Sequence, residues 1–499
     1  MSSPLPSRRD ALRAAAAASV TAAVARLPGF AAAAPATAAP HPRTLVGIAT
    51  SVAPLAQPDL NRVLDDLQLR AGVNALFPFI YTHIPRRAGA PEAGFHGGNY
   101  AIPHMEFYRD TSLTFEDMRA PEFGDSDVLA HLIPNARARG IQTFAWIIED
   151  NRLPAVARWE PLYEVDFHGR RMRRHPSGPC NNNPQYRGFL LGLVEDYARS
   201  YAIDGIMWGS ERQGGLLNAL GAYHNGADAD PGQATCFCEF CRQKGAAAGI
   251  DVERARRGFG ELESFVRASR AGRRPRDGHF VAFWRLLLEY PELLAWENLW
   301  IRSRHELQAE LFRKVKSIKP ALLVGWHLWH NLSFSPFHRA EEEYPALTGF
   351  SDFLRPVLYS NCAGERMRSF VDSAHGDLFG DVPGNLTLDF LYRLLDCAEA
   401  PYDKVTAAGF SADYVLRETR RAVDGVAGTP TQIWPGIDID VPVPPEASHC
   451  TPESVKATVR AVFQAGAQGV LLSRNYVEMK PENLSAAGAA LRELGVVHG

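Results

Sequence analysis

The feature that most constrains this chain is a repeated alternation of short apolar runs with stretches of helical spacing. Residues 45–51 suit a first strand and 73–84 a second, in which Phe77, Phe79 and Tyr81 alternate. Further strands are predicted at 141–148, 203–208, 322–328, 353–359, 431–441 (stopped by Pro442) and 469–473. Helical spacing falls between them at 60–69, 128–139, 186–201, about 280–316, 454–465 and 484–494, with Gly140 placed to end the second of these helices. Eight strands followed by helices predict an α/β chain folded as a (β/α)8 TIM barrel. The rival architecture, a doubly wound open sheet, wants a glycine-rich turn after its first strand. Ile48-Ala49-Thr50-Ser51-Val52 has no glycine.

Three long insertions, near 85–126, 151–185 and 212–280, all follow strands. They therefore belong to the C-terminal face, where barrel enzymes build their sites. The N-terminus reads differently. Ser7-Arg8-Arg9-Asp10-Ala11-Leu12, an alanine-rich apolar stretch to about Ala34 and the small residues Ala36-Thr37-Ala38 have the layout of a twin-arginine export signal over residues 1–38. Residues 39–499 are then a single barrel domain, periplasmic or extracellular. Arg26 and Pro28 interrupt the apolar stretch, so no stable membrane insertion is expected. Cleavage would lower the 53 basic residues by four arginines and the 56 acidic ones by Asp10, leaving a net charge of −6. That balance argues against nucleic acid as a partner.

Four of the seven cysteines form a pattern: Cys180, then Cys236-Phe237-Cys238-Glu239-Phe240-Cys241. Three thiols within six residues do not pair easily with one another, but with Cys180 they can converge on one tetrahedral Zn²⁺. Such a site would be closed and structural. Cys362, Cys397 and Cys450 are odd in number, so at least one is expected to be free.

Catalytic candidates are read at strand ends. Glu211 follows the fourth strand and is the candidate general acid/base, the competing role being a surface pair with Arg212. Asp438 and Asp440 lie on one face of the seventh predicted strand. Either can be the second carboxylate, with Asp440 nearer the mouth; the competing roles are a loop cap and a pair with Arg474. Tyr81, His83, Glu149, His327, His330, Tyr359, Asn361, Arg474 and Asn475 mix rings with hydrogen-bonding groups at other strand ends. That mixture suits a sugar, whose C–H faces pack on rings while its hydroxyls need partners.

The segment Cys180-Asn181-Asn182-Asn183-Pro184-Gln185-Tyr186-Arg187 resembles one that introduces the helix before the fourth strand in glycoside hydrolase family 42 β-galactosidases. Cys236-x-Cys238-x₂-Cys241 resembles that family's cysteine cluster downstream of its acid/base glutamate. The same layout, with Asp204-Gly205-Ile206 leading into the fourth strand, is similar to other bacterial glycoside-hydrolase-like barrels over most of residues 43–499. The resemblance implies zinc at Cys180, Cys236, Cys238 and Cys241, and an acid/base role for Glu211. The chain departs from family 42 in placing Ser210 before that glutamate and aspartates on strand seven. The expected function is an exported glycosidase acting on an oligosaccharide or glycoside through two carboxylates. A non-catalytic carbohydrate-binding barrel and a metal-dependent hydrolase or lyase using His83, His327 and His330 are the alternatives.

Overall fold

Eight parallel strands close into a barrel in the computed structural model, which describes residues 44–56, 59–82, 97–149, 158–172, 178–223 and 226–497. The strands are β1 (Leu45–Thr50), β2 (Ala75–Thr82), β3 (Gln142–Glu149), β4 (Gly205–Ser210), β5 (Leu323–Leu328), β6 (Phe353–Leu358), β7 (Gly436–Asp438) and β8 (Gly469–Ser473). β1 pairs with both β2 and β8, which closes the ring. This is the (β/α)8 architecture that the alternation predicts. The segment 1–38 and His83 lie outside the described residues.

The helices that cover the barrel are α1 (Leu60–Ala71), α2 (Val128–Arg137), α3 (Pro184–Ser200), α4 (Glu292–Ile318), α5 (Ala412–Gly425), α6 (Pro452–Gln464) and α7 (Pro481–Glu493). Their ends follow local chemistry. Gly72 stops α1 in the left-handed region at φ 63°. Asn183 caps α3 by accepting from the Gln185 amide, and Pro184 takes the first helical position, where no N–H is needed. The helical stretch expected over about 280–316 is two helices, His279–Glu289 and α4, because Pro291 cannot continue the hydrogen-bond ladder. Among the described residues no helix is long and apolar enough to cross a membrane.

The barrel interior is filled by rings set against glycines. Phe77 stacks on Phe144 at 4.5 Å and Phe353 on Trp434 at 4.1 Å, with Met207 and Leu471 beside them. A Cβ on Gly205 would lie 2.4 Å from the Phe144 ring, and one on Gly325 2.3 Å from Phe353. Small residues on one strand thus make room for large ones on the next, the tight packing expected of an interior. The seventh strand differs from the expected run 431–441. Gln432–Ile433 pairs briefly with β6, and the ladder resumes only at Gly436–Asp438. Pro435 offers no N–H between them, and Trp434 is packed among the interior rings. Asp440 consequently lies beyond the strand, not within it.

Candidate functional site

Glu211, the residue after β4, carries a side chain 41% exposed. Its Oε1 lies 3.0 Å from Nε2 of His327 on β5. The His327 Nδ1 lies 2.5 Å from Nη1 of Arg355 on β6. Arg355 is 1% exposed, and its Nη2 donates to the Tyr359 hydroxyl (3.0 Å) and to Ser473 Oγ on β8 (2.5 Å). The guanidinium also lies over the Trp146 ring, 5.2 Å from its centre, and that ring is 5.5 Å from His327. Strand register builds this line. Gly209 of β4 sits opposite His327, and His327 opposite Arg355. A Cβ on Gly209 would come within 2.7 Å of the His327 Cβ, so the glycine lets the histidine lean across β4 toward Glu211. Burial holds the His327 pKa below its ordinary value. The hydrogen bond to Glu211 opposes this and the Arg355 charge adds to it.

Asp438 and Asp440, expected on one face of the seventh strand with either as the second carboxylate, are separated by the end of β7, and the frame holds both carboxylates. Asp438 is 1% exposed and accepts from the Ser360 amide (2.9 Å), the Asn361 amide (2.6 Å) and the Ser360 hydroxyl, with the Cys450 thiol at 3.4 Å. Burial raises its pKa against the pull of those amides. Its job here is to fasten the turn after β6. Asp440, past the end of β7, accepts from the Lys480 amide (2.8 Å) and from Asn483 Nδ2 (3.0 Å), with Lys480 Nζ at 3.6 Å. It ties the chain to the start of α7. Neither pairs with Arg474, which instead grips Glu478 through two bonds of 2.8 Å.

Other expected sugar-binding residues are likewise engaged by the frame. Glu149, 1% exposed, accepts from Arg212 (3.1 Å) and from Tyr186. This buried ion pair is also the reason that Arg212 is not the partner of Glu211. Burial opposes the Arg212 charge, but Glu149 and Glu164 together hold its pKa above the ordinary value. Tyr81 is buried against Phe189, and burial raises its pKa. Asn475 accepts from the Ser51 amide, and Asn361 Nδ2 donates to the Val441 carbonyl. His330 is fully buried, with Nδ1 2.9 Å from Arg366 and Nε2 3.1 Å from the Tyr414 hydroxyl. Tyr359 alone among these joins the Glu211 line directly, through Arg355.

The four cysteines do come together. Their sulfurs all lie within 4.8 Å of one another, with Cys180 3.4 Å from Cys241 and 3.5 Å from Cys238. Four sulfurs at a Zn–S distance of about 2.3 Å would stand roughly 3.8 Å apart, so this set can adjust around one ion with small movements, its closest pairs spreading slightly. N–H groups already point at the sulfurs: the Asn182 amide at Cys180 (3.4 Å), the Cys238 amide at Cys236 (3.5 Å) and Asn182 Nδ2 at Cys241 (3.3 Å). Lys244 bonds the Asn182 side-chain oxygen at 3.0 Å and so fixes which way that amide faces. Donors aimed at sulfur, with a cation behind them, suit a metal-bound thiolate set.

Sequence reasoning missed Arg355, Ser473 and Trp146. A signal for the first was present, since Arg355 is the one charge in the run Phe353-Leu354-Arg355-Pro356-Val357-Leu358. It also missed Glu297 and Glu341, a buried carboxylate pair in which burial raises both pKa values. Glu341 lines, with Ser210 and His327, a small cavity of about 30 Å³.

No protein-family model and no curated protein matches the chain. Solved structures do resemble it. A β-galactosidase from the Antarctic haloarchaeon Halorubrum lacusprofundi matches with a TM-score of 0.52 at 14% identity, over 91% of this chain and 58% of that one. A β-galactosidase from Rahnella sp. R3 gives 0.48 at 14% identity, over 91% and 57%. The α-L-fucosidase isoenzyme 2 from Paenibacillus thiaminolyticus gives 0.46 at 13% identity, over 91% and 49%. This chain spans about half the length of that fucosidase. At 14% identity, the likeness to the Halorubrum β-galactosidase shows a shared fold alone.

Proposed function

We propose that the protein is an exported glycoside hydrolase that cleaves O-glycosidic bonds in an oligosaccharide or glycoside, with Glu211 as proton donor. The observation that carries this reading is the half-exposed Glu211 carboxyl at the C-terminal end of β4, anchored through one oxygen to buried His327. A carboxyl held there can give its proton to the glycosidic oxygen as the C1–O bond breaks, and then recover it from water. Asp440 is the proposed second carboxylate, attacking C1 or deprotonating water. Its side chain keeps 11% exposure beside half-exposed Lys480, whereas Asp438 is 1% exposed. Tyr359, Asn361, Arg474 and Asn475 stay as candidates for holding sugar hydroxyls, while fully buried His330 does not.

Cys180, Cys236, Cys238 and Cys241 would hold Zn²⁺ in a closed site. The ion supplies a cross-link between the loop before α3 and the insertion after β4, and no chemistry on substrate. Export through the twin-arginine route belongs to the same proposal.

One alternative gains support from a particular observation. Asp438 and Asp440 are both tied into the frame, which favours a barrel that binds carbohydrate without cleaving it. The histidine–metal alternative gains none, because both ring nitrogens of His327 and of His330 already have protein partners. A panel of aryl glycosides tests the proposal. The wild type should release aglycone from at least one member, Glu211→Gln should fall roughly 10²- to 10⁴-fold, and Asp440→Ala should be inactive until azide, entering the space left by the carboxylate, restores turnover. Sugar binding with no turnover across the panel would select the binding barrel.

A further inference from the structure

We propose that Arg355 is a positioning residue: it fixes His327 as the neutral tautomer with hydrogen on Nε2, so that Glu211 always meets a donor. The clause about Glu211 rests on the glycosidase reading; the tautomer itself does not.

The argument is one of donors and acceptors. A guanidinium has five N–H donors and no acceptor. Arg355 Nη1 lies 2.5 Å from His327 Nδ1, so Nδ1 must present its lone pair. The ring proton is then on Nε2, 3.0 Å from Glu211 Oε1. The other tautomer would set N–H against N–H at Arg355 and lone pair against carboxylate at Glu211. The doubly protonated ring would keep the first of these conflicts and add a second positive charge beside the guanidinium. The pKa of His327, held down first by burial, agrees with a neutral ring. The charged or titratable groups facing His327 or the cavity it lines are Glu211, Arg355, Arg212, Arg304, His338, Glu341 and Glu342.

The fold goes to some length to keep Arg355 in place. A buried charge is costly unless it is well paired, and among the described residues Arg355 makes no ion pair. Its fork is held by the Tyr359 hydroxyl and Ser473 Oγ, and its face lies against Trp146. Gly436 on β7 clears space for it: a Cβ there would lie 2.3 Å from Cζ, Nε and Nη2. A position selected for packing alone would be filled by an apolar side chain. Here three strands cooperate to hold a cation behind an imidazole whose other nitrogen faces Glu211.

The experiment is ¹⁵N NMR of histidine-labelled full-length protein, combined with kinetics, on wild type, Arg355→Gln, whose amide offers an acceptor as well as donors, and Gly436→Ala. The alanine displaces the guanidinium without altering it, so it guards against a folding failure specific to the glutamine. The wild type should show His327 with a protonated Nε2 and a bare Nδ1 at neutral pH. Both variants should show mixed tautomers or a protonated ring, and kcat should fall roughly 10- to 100-fold with KM nearly unchanged. An unchanged His327 signal in both folded variants would overturn the inference. A tautomer that shifts in the variants, when neither they nor the wild type hydrolyse any glycoside, would support the Arg355–His327 arrangement and count against the glycosidase reading instead.

Discussion

At the residue scale, the decisive contrast is between two kinds of carboxylate. Glu211 keeps a side chain 41% exposed and is held by His327, while Asp438 is buried and accepts from two backbone amides. Asp438→Asn should therefore act on stability. The new amide would face the Asn361 N–H donor to donor, at a cost of about 1–3 kcal/mol. The pH dependence carries a second signature. The Asp438 pKa is raised above 3.8 by burial, so between the two values the folded state binds more protons than the unfolded state. Wild-type stability should fall as pH rises from 3.8 through the folded value, and the variant should lose that slope, as read by chemical denaturation across pH. The sequence could not show which acids were spent in this way. An aspartate at a strand end looks the same whether it faces a sugar or two amides. The lone Arg355 in an apolar strand was the better clue, because an isolated charge there demands a partner.

At the element scale, the loop leading into α3 and the insertion after β4 are joined by backbone bonds, Phe237 N–H to the Val165 carbonyl (2.6 Å) and Phe167 N–H to that of Ala234 (3.2 Å), by the four cysteines and by the Arg212 network. Arg212 reaches Glu149, Asn181 and the Pro179 carbonyl, so β3, the Cys180 segment and the end of β4 are drawn together. A zinc ion at the four thiolates would complete that clasp. One equivalent of zinc per chain should be released by denaturation in the presence of a chromogenic chelator. Cys241→Ser should lose the zinc and lower the melting temperature, while the secondary-structure signal at low temperature is largely kept. A chain equally stable with and without the ion would remove the cross-link from the account. The cysteine spacing made this cluster legible before any coordinates, since three thiols in six residues leave few other arrangements. The helix break at Pro291 was equally written in the sequence and was overlooked because the apolar spacing continues on either side.

At the scale of the whole molecule, the barrel was legible because eight apolar runs recur with helices between them, and seven of the strands appear near their expected limits. The eighth, β7, was overextended. Pro435 and the bend after Asp438 shorten it, and this alone displaced the expected second carboxylate from the strand to the loop beyond. The Glu211–His327–Arg355 line was only partly legible because it is a property of closure. Register between β4, β5 and β6 brings these three together, and sequence spacing between strands gives no register. The central claim is that Glu211 donates a proton to a departing sugar oxygen at the mouth of this barrel. Its most direct test is the leaving-group dependence of Glu211→Ala, measured on aryl glycosides of the sugar that the wild type cleaves. The account predicts that hydrolysis is largely kept for dinitrophenyl glycosides, whose leaving group needs no proton, and collapses for phenyl and alkyl glycosides. An equal loss across all leaving groups would contradict it.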